Sequence, residues 1–465
     1  MKKYTQLALI VVCIFSVLAL LICERRYANM KVILEVMDVF ETKEAAVKCD
    51  RQIELLRRSQ LDSGGALTPV VLPVWREVFA SESWSLFVYS AYWDVAEDGA
   101  NVSRIVAVIE RDLPADLKCL LWFDGVHHVR ADTFAVTTLS AAAANEDDST
   151  SAVVLECAVR DISIEPVAVS FSWTSASGRA DRSQVVPLES TRRFPGSVNA
   201  TRNFSVCVPP LVSTVTPLTL VEFAVYHRHV GVDDFVFYDA DSLPDAKRLL
   251  AAVPGRTLAS VKLLPWNLPR RFSNVSESAR IADCLLRTKK RAHSALFLET
   301  NQFVSLAAAK DLNQLARGLN SLSSRAHTAD NKTGAPLVLF HTHHFCDEFS
   351  DDIVASSLQI RFVTQRKVKY HRLSEKHKVF LVATGFTQSV VAALRSPNHP
   401  VESNVLVPER SAVVNVYGKC RPLLPVRNTR EHYVPDMHMT NFRSLLFSSK
   451  LYRYFEKQPY ASLLL

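Results

Sequence analysis

The sequence predicts an α/β protein in two parts, an antiparallel β domain followed by a domain with a mixed, mostly parallel sheet, behind an N-terminal transmembrane helix. Three observations predict it. Residues 7–23 are an unbroken apolar run, short alternating strands fill residues 69–197, and from Thr216 onward helical segments alternate with apolar strands. The 465 residues exceed the roughly 250 to 300 at which a single core stops growing, so more than one domain is expected.

The N-terminus comes first. Residues 1–6 contain Lys2 and Lys3 and read as a cytosolic tail. Leu7 to Cys23 follow, with Ser16 the one hydroxyl, and as a helix they would be about 25 Å long, enough for a thin early secretory membrane. The run is longer than the roughly 7 to 15 residues of a signal-peptide core, and no A-x-A pattern follows, which favours an uncleaved signal anchor. Arg25 and Arg26 balance Lys2 and Lys3, so flanking charge leaves the orientation open. Five N-x-[ST] sequons, at Asn101, Asn199, Asn203, Asn274 and Asn331, favour a luminal body. The expected topology is single-pass type II, in the Golgi or ER membrane.

Cysteine usage fits an oxidising lumen. Of the nine, Cys13 and Cys23 belong to the span and Cys49 to the stem, where it is expected to be unpaired or to link two chains as a dimer. Cys119, Cys157, Cys207, Cys284, Cys346 and Cys420 remain for internal pairs. No C-x-x-C occurs, so neither a zinc ribbon nor a thioredoxin-like site is supported.

The stem, residues 24–68, is charged and helical in flavour and ends near the breaker Ser63-Gly64-Gly65. The β domain, 69–197, shows six runs: Trp84 to Trp93, Ile105 to Ile109, Lys118 to Phe123, Thr133 to Leu139, Ala152 to Val159 and Val167 to Trp173. The Ala-rich, then acidic, stretch from Ala141 to Ser151 reads as a loop.

The α/β domain spans 198–425. Thr216 with Pro217 caps a helix that runs to His229 and is closed by Gly231. Strand Val232 to Tyr238, a helix over 245–253, a strand over 260–264, a helix over 276–290 and strand Ser294 to Leu298 follow. Residues 426–465 are aromatic and basic and read as packing structure.

Composition narrows the chemistry. Glycine is 12 of 465 residues, about 2.6 % against a usual level of about 7 %. Neither G-x-G-x-x-G nor G-x-x-x-x-G-K-[ST] occurs, so a nucleotide must be held by side chains rather than by a bare backbone loop. A formal charge of +7 spread over the chain is no nucleic-acid footprint. Open sheets bind ligands at the carboxyl ends of their strands, where Asp239, Asp241, Glu299 and Asn301 stand. Asp241 reads as a turn cap. His341 and His343 fall on one face of a strand and His344 on the other, too few converging ligands for a structural zinc, which needs four.

The segments Ser205 to Leu211 and Leu220 to Asp239, with Trp266, Asp283 to Arg287, Ser294 to Phe303, Tyr417 and Cys420 in the same order, resemble the catalytic domain of glycosyltransferase family 92. Val88 to Asp94 resembles an early segment of that family. The resemblance implies a type II Golgi enzyme with a GT-A-like domain, preceded by a β-rich carbohydrate-binding domain at 69–197, that transfers galactose from UDP-galactose to a glycan. It implies Tyr238, Asp239, Trp266 and Asp283 as contacts of the nucleotide sugar, and a Mn²⁺ or Mg²⁺ ion at an Asp-x-Asp-Glu-Phe motif.

At that motif this chain reads Glu299-Thr300-Asn301-Gln302-Phe303, a loss of two negative charges. The family histidine near Tyr417 is replaced by Val416, and Glu277 and Ala282 stand where the family has glutamine and asparagine. Two readings stay open: a hexosyltransferase with weakened or substituted metal binding, with Lys419 or the Arg287 to Arg291 cluster as substitutes, or a catalytically lapsed protein that binds glycans or organises partners. The catalytic base is open among Asp347, Glu348, Asp351 and Asp352.

Overall fold

The structure, a computed structural model, describes residues 73–80, 84–95, 100–123, 128–143, 149–160, 164–174, 180–190, 202–257, 259–289, 291–318, 338–347, 357, 360, 362, 366–368, 379–383, 405–419, 433–435 and 438–458. All belong to one compact unit, Leu72–Leu465. The expected anchor, the stem and Cys49 lie outside the described residues, as do sequons Asn199 and Asn331. Among the described residues no helix is long and apolar enough to cross a membrane.

The first half forms a ten-stranded sheet. Its strands are β1 (Arg76–Ala80), β2 (Ser85–Val95), β3 (Asn101–Glu110), β4 (Lys118–Trp122), β5 (His128–Arg130), β6 (Thr133–Ala143), β7 (Ser149–Val159), β8 (Ala168–Thr174), β9 (Ala180–Arg182) and β10 (Val186–Ser190). All six expected runs are strands. The stretch read as a loop is shorter than expected, because Ala141 to Ala143 extend β6 and Ser149 to Ser151 extend β7, pairing with one another. The sheet is also not purely antiparallel: β10 pairs parallel with β2. Strand order is β5-β4-β8-β10-β2-β3-β7-β6, yet a disulfide joins Cys119 of β4 to Cys157 of β7. A bond between strands five places apart requires the sheet to curl over on itself. Leu86, Val88, Trp93, Ile105, Leu155 and Phe171 fill the enclosed core.

The second half begins with β11 (Arg202–Leu211), α1 (Pro217–His229), β12 (Asp234–Asp239), α2 (Pro244–Thr257), β13 (Ser260–Pro265), α3 (Ser273–Thr288) and β14 (Ala292–Phe297). The chain then runs through β15 (Gln302–Leu306), β16 (Val338–Phe340), β17 (Thr342–Cys346), β18 (Arg366–Val368), β19 (Val379–Ala383), β20 (Val405–Leu406), β21 (Ala412–Gly418) and β22 (Tyr433–Pro435) to helices α4 (Arg443–Ser448) and α5 (Lys450–Glu456).

Strands β13, β12, β11 and β14 are parallel, and β19 pairs antiparallel to β14, giving the mixed sheet expected. Helix α1 starts as the sequence dictates: Thr216 Oγ1 accepts from the backbone N–H of Thr219, and Gly231 at φ +108° ends it in a conformation few other residues adopt. A second sheet runs β15-β21-β17-β18-β22.

Helices α1 and α2, with α4 and α5, bury Leu220, Phe223, Leu249, Leu446 and Phe455 against one face of the mixed sheet. Helix α3 covers the other face and is in turn covered by the first sheet. Residue alternation along β2, shifted once by a bulge between Val88 and Ser90, explains this: Leu86, Val88 and Trp93 point into the curled sheet, while Phe87, Tyr89 and Tyr92 point out, into a core shared with Val236, Trp266, Ala279 and Leu285. The disulfide Cys207–Cys284 ties β11 to α3 in that shared core. Cys346 is disulfide-bonded as well.

Candidate active site

The four residues expected to touch a nucleotide sugar separate into two places. Tyr238 and Asp283 are fully buried and Trp266 nearly so. The Asp283 carboxylate accepts hydrogen bonds from Ser90 Oγ, Tyr92 Oη and Tyr238 Oη, each at 2.6 Å, and is paired with Arg287 at 3.0 Å. Burial alone would raise its pKa, but the charge and hydrogen bonds of Arg287, with those of Ser90 and Tyr238, hold it below the usual carboxylate range. Every lone pair is committed, so Asp283 acts as a strut between the sheets. Trp266 packs edge-on among Trp75, Tyr89 and Tyr238, and its Nε1 donates to Ser276 Oγ at 3.1 Å. It is buried in the core, which leaves no platform for a base.

Asp239 alone of the four reaches the carboxyl edge of the sheet. Its Oδ1 accepts from the N–H and Oγ of Ser242, at 2.8 and 2.6 Å, and its Oδ2 meets Lys247 Nζ at 2.7 Å. Partial burial works against its ionisation, but the contacts with Lys247 and Ser242 outweigh it and lower the pKa. Asp241 is exposed beside it.

Two strands along the same edge, past β11, β14 ends and the altered motif forms a tight turn. Gln302 closes it, its Oε1 accepting from the N–H of Glu299 at 3.0 Å, while its own N–H donates to the Glu299 carbonyl, also at 3.0 Å. Glu299 presents surface to solvent yet is crowded by protein, and this partial desolvation raises its carboxyl pKa, opposed by the nearby charge of Arg280. Asn301 Nδ2 donates to the carbonyl of Tyr417 at 2.9 Å, which fixes the amide orientation, and leaves Oδ1 buried without a partner.

The second sheet brings further groups to this turn. Gln302 pairs with Val416 across β15 and β21, and Gly418 lies against Asn301. Lys419 follows Gly418 and is exposed. The N–H of Asp347 donates to the Gly418 carbonyl at 2.9 Å, so this exposed acid stands one strand beyond. Glu348, Asp351 and Asp352 lie outside the described residues.

Other candidates are placed elsewhere. Arg287 is buried between Asp283 and Glu189, and Arg291 pairs with Asp234 at the opposite, amino end of the strands. Among the described residues, Lys419 is the one cationic substitute read in the sequence that lies near the motif. His341 and His343 share a face, 3.7 and 3.8 Å from Glu409. Asn203 is exposed on β11 and Asn274 is exposed in the first turn of α3, whereas Asn101 is half-buried in β3.

Arg280 is a residue that the sequence reading missed. It lies on α3 with Asp283 and Arg287 at spacings of three and seven, one helical face, and that face is otherwise apolar. Charges recurring at helical period in a buried stretch were the available signal.

Comparison with known proteins bears on the second half of the chain. Residues 202–416 match the model of Glycosyltransferase family 92. The resemblance read in the sequence is thereby borne out, and the family 92 segment runs from the first residue of β11 into β21. No curated protein matches the chain. Among solved structures, one titled as a mycobacterial protein is 14 % identical with a TM-score of 0.24, covering 62 % of this chain and 84 % of that one. Glucosyl-3-phosphoglycerate synthase from Mycobacterium tuberculosis, in complex with Mg²⁺ and uridine diphosphate, is 14 % identical with a TM-score of 0.23, covering 49 % and 76 %. TarS residues 1–349 from S. aureus are 11 % identical with a TM-score of 0.27, covering 47 % and 60 %.

A divalent ion at the family 92 motif would need several hard oxygen ligands, carboxylates foremost. Here the turn offers one carboxylate, Glu299, and one neutral amide oxygen, Asn301 Oδ1. Among the described residues no group of three or more His, Cys, Asp or Glu is arranged to hold a metal. The residues of this turn do not fit a Mn²⁺ or Mg²⁺ site.

Proposed function

We propose that the protein is a glycosyltransferase that takes a hexose, galactose from UDP-galactose, and transfers it to a glycan acceptor. What supports the reading is one observation: Asp239, Glu299, Asn301, Asp347 and Lys419 gather along the carboxyl edge of the sheets of a family 92 segment. In an inverting transfer the bond between the anomeric carbon and the β-phosphate oxygen breaks. Its electron pair leaves with the nucleoside diphosphate. The acceptor hydroxyl oxygen bonds the anomeric carbon, and its proton passes to a carboxylate, for which Asp347 stands exposed at the rim. Lys419 supplies positive charge at the same rim for the departing diphosphate. The protein works in the lumen of the Golgi or ER, held by residues 7–23 as a type II anchor, with Cys49 able to link two chains.

Transfer of radiolabelled galactose from UDP-galactose to a panel of glycans, by the full chain in detergent, tests this. Labelled product is expected; binding of glycans without turnover under any divalent ion would support the second reading, a non-catalytic glycan-binding or partner-organising protein. The observation favouring that second reading is the exchange of family acids for Asn301 and Gln302.

A further inference from the structure

Arg280 is buried, at a relative exposure of 6 %, but its guanidinium makes no hydrogen bond among the described residues. Its Nη1 is sealed with no partner. Its Nη2 is 4.0 Å from the carboxylate of Glu277, a side chain 72 % exposed, so that side of the group faces outward. The carbon of the guanidinium is 5.9 Å from the centre of the Phe297 ring, and Tyr238, Glu277 and Glu299 are the groups whose charge it feels. Arg280 therefore lies under the carboxyl ends of β12 and β14, beside the altered motif.

A buried cation without hydrogen bonds is costly, and proteins retain such a group where a ligand completes it. Its neighbours Asp283 and Arg287 on the same helical face satisfy each other fully and leave nothing for Arg280. Planar guanidinium donors match phosphate oxygens, and a fixed +1 charge serves where carboxylates would otherwise have held a +2 ion. We propose that Arg280 replaces the divalent cation, holding the diphosphate of a nucleoside-diphosphate donor by charge-assisted hydrogen bonds and making donor binding independent of metal. The inference rests on the reading of this edge as a donor site.

The test is UDP binding to the full chain in detergent, by calorimetry, in EDTA and in Mn²⁺, for the wild type, Arg280→Met and Arg280→Lys. The wild type is expected to bind UDP equally well in EDTA and Mn²⁺. Arg280→Met is expected to bind at least tenfold more weakly in both, with an unchanged or higher melting temperature, since it removes a buried charge that makes no hydrogen bond among the described residues. Arg280→Lys, which keeps the charge but loses the fork, falls between. Wild-type binding that requires Mn²⁺, or Arg280→Met binding as tightly as wild type, overturns the role of Arg280 while leaving the donor site standing. No UDP binding under either condition overturns both.

Discussion

The Asp283 carboxylate of α3 and the Tyr92 phenol of β2 lie 191 residues apart in sequence and meet at 2.6 Å in the protein interior. The contact ties the curled sheet into one unit with the α/β half instead of leaving it an appended module. Lys289 of the loop after α3 repeats the link by reaching Asp94 of β2 at 2.6 Å, and Tyr89 Oη repeats it by donating to the Pro265 carbonyl at 2.9 Å.

Asp283→Ala should therefore weaken both halves at once. It strands the Arg287 guanidinium, which then keeps only Glu189, and leaves three hydroxyls without their acceptor; breaking a buried pair costs about 3 to 5 kcal/mol. Denaturant unfolding followed by tryptophan fluorescence should show one transition at a lower midpoint. Asp283→Ala with Arg287→Met should recover part of the loss, because no buried charge is then left over. Since the folded-state pKa of Asp283 is lowered, its contribution is complete above the ordinary aspartate pKa of about 3.9 and disappears as pH falls through the folded value.

A second pH dependence comes from His227. It is fully buried on α1, Nδ1–H donates to the Phe223 carbonyl at 2.9 Å, and the ring lies against Phe303. Burial lowers its pKa to about 4, with the Phe223 bond opposing in part. The unfolded chain takes up a proton near pH 6.5 and the folded one only near 4, so stability is whole above 6.5 and falls between these values. The loss is about 3 kcal/mol, at 1.36 kcal/mol per unit. His227→Gln should lose less stability than wild type over this window in urea titrations at pH 7, 5.5 and 4.5. Equal slopes for the two would show that other groups set the acid response.

Asp347→Asn should separate chemistry from binding. Removing a general base lowers turnover by about 10²- to 10⁴-fold, and UDP affinity should not change because a base acts on the acceptor hydroxyl and not on the diphosphate. Transfer rates and UDP calorimetry on the same preparation check both halves. A loss of UDP affinity matching the loss of rate would instead make Asp347 a donor-binding residue.

Much of the architecture was legible in residues alone. Thr216, Pro217 and Gly231 specify the ends of α1 locally, and the six long strands announce themselves by alternation. The longer β11 and β21 of the second half escaped notice, and in the first half so did β1, β5, β9 and β10, which have three to five residues, β10 carrying Pro187. Runs that short have no period to detect, and their pairing depends on neighbours supplied from elsewhere in the chain. The site was legible as a position, the strand ends holding Asp239, Glu299 and Asn301, but not as a division of labour. Whether an acid serves as ligand or strut depends on burial, and Asp283 is buried by tyrosines and a serine from strands β2 and β12 that no local pattern connects to it.

Asn301→Asp tests the loss of the metal site by reversing it. In the wild type Nδ2 of Asn301 donates to the Tyr417 carbonyl at 2.9 Å. A carboxylate at 301 sets two acceptors against each other, which costs about 1 to 3 kcal/mol unless a cation enters between them. With Glu299→Asp added, the turn regains two short carboxylates of the kind that hard divalent ions select. The double variant should be less stable than wild type in EDTA, and Mn²⁺ at a hundred times its Kd should return about 2.7 kcal/mol. Mn²⁺ should also raise UDP affinity tenfold or more in the double variant and leave the wild type unchanged. A wild type that gains as much from Mn²⁺ as the double variant would mean that the present turn already coordinates a cation, and that the acids lost at positions 301 and 302 are made good by other ligands.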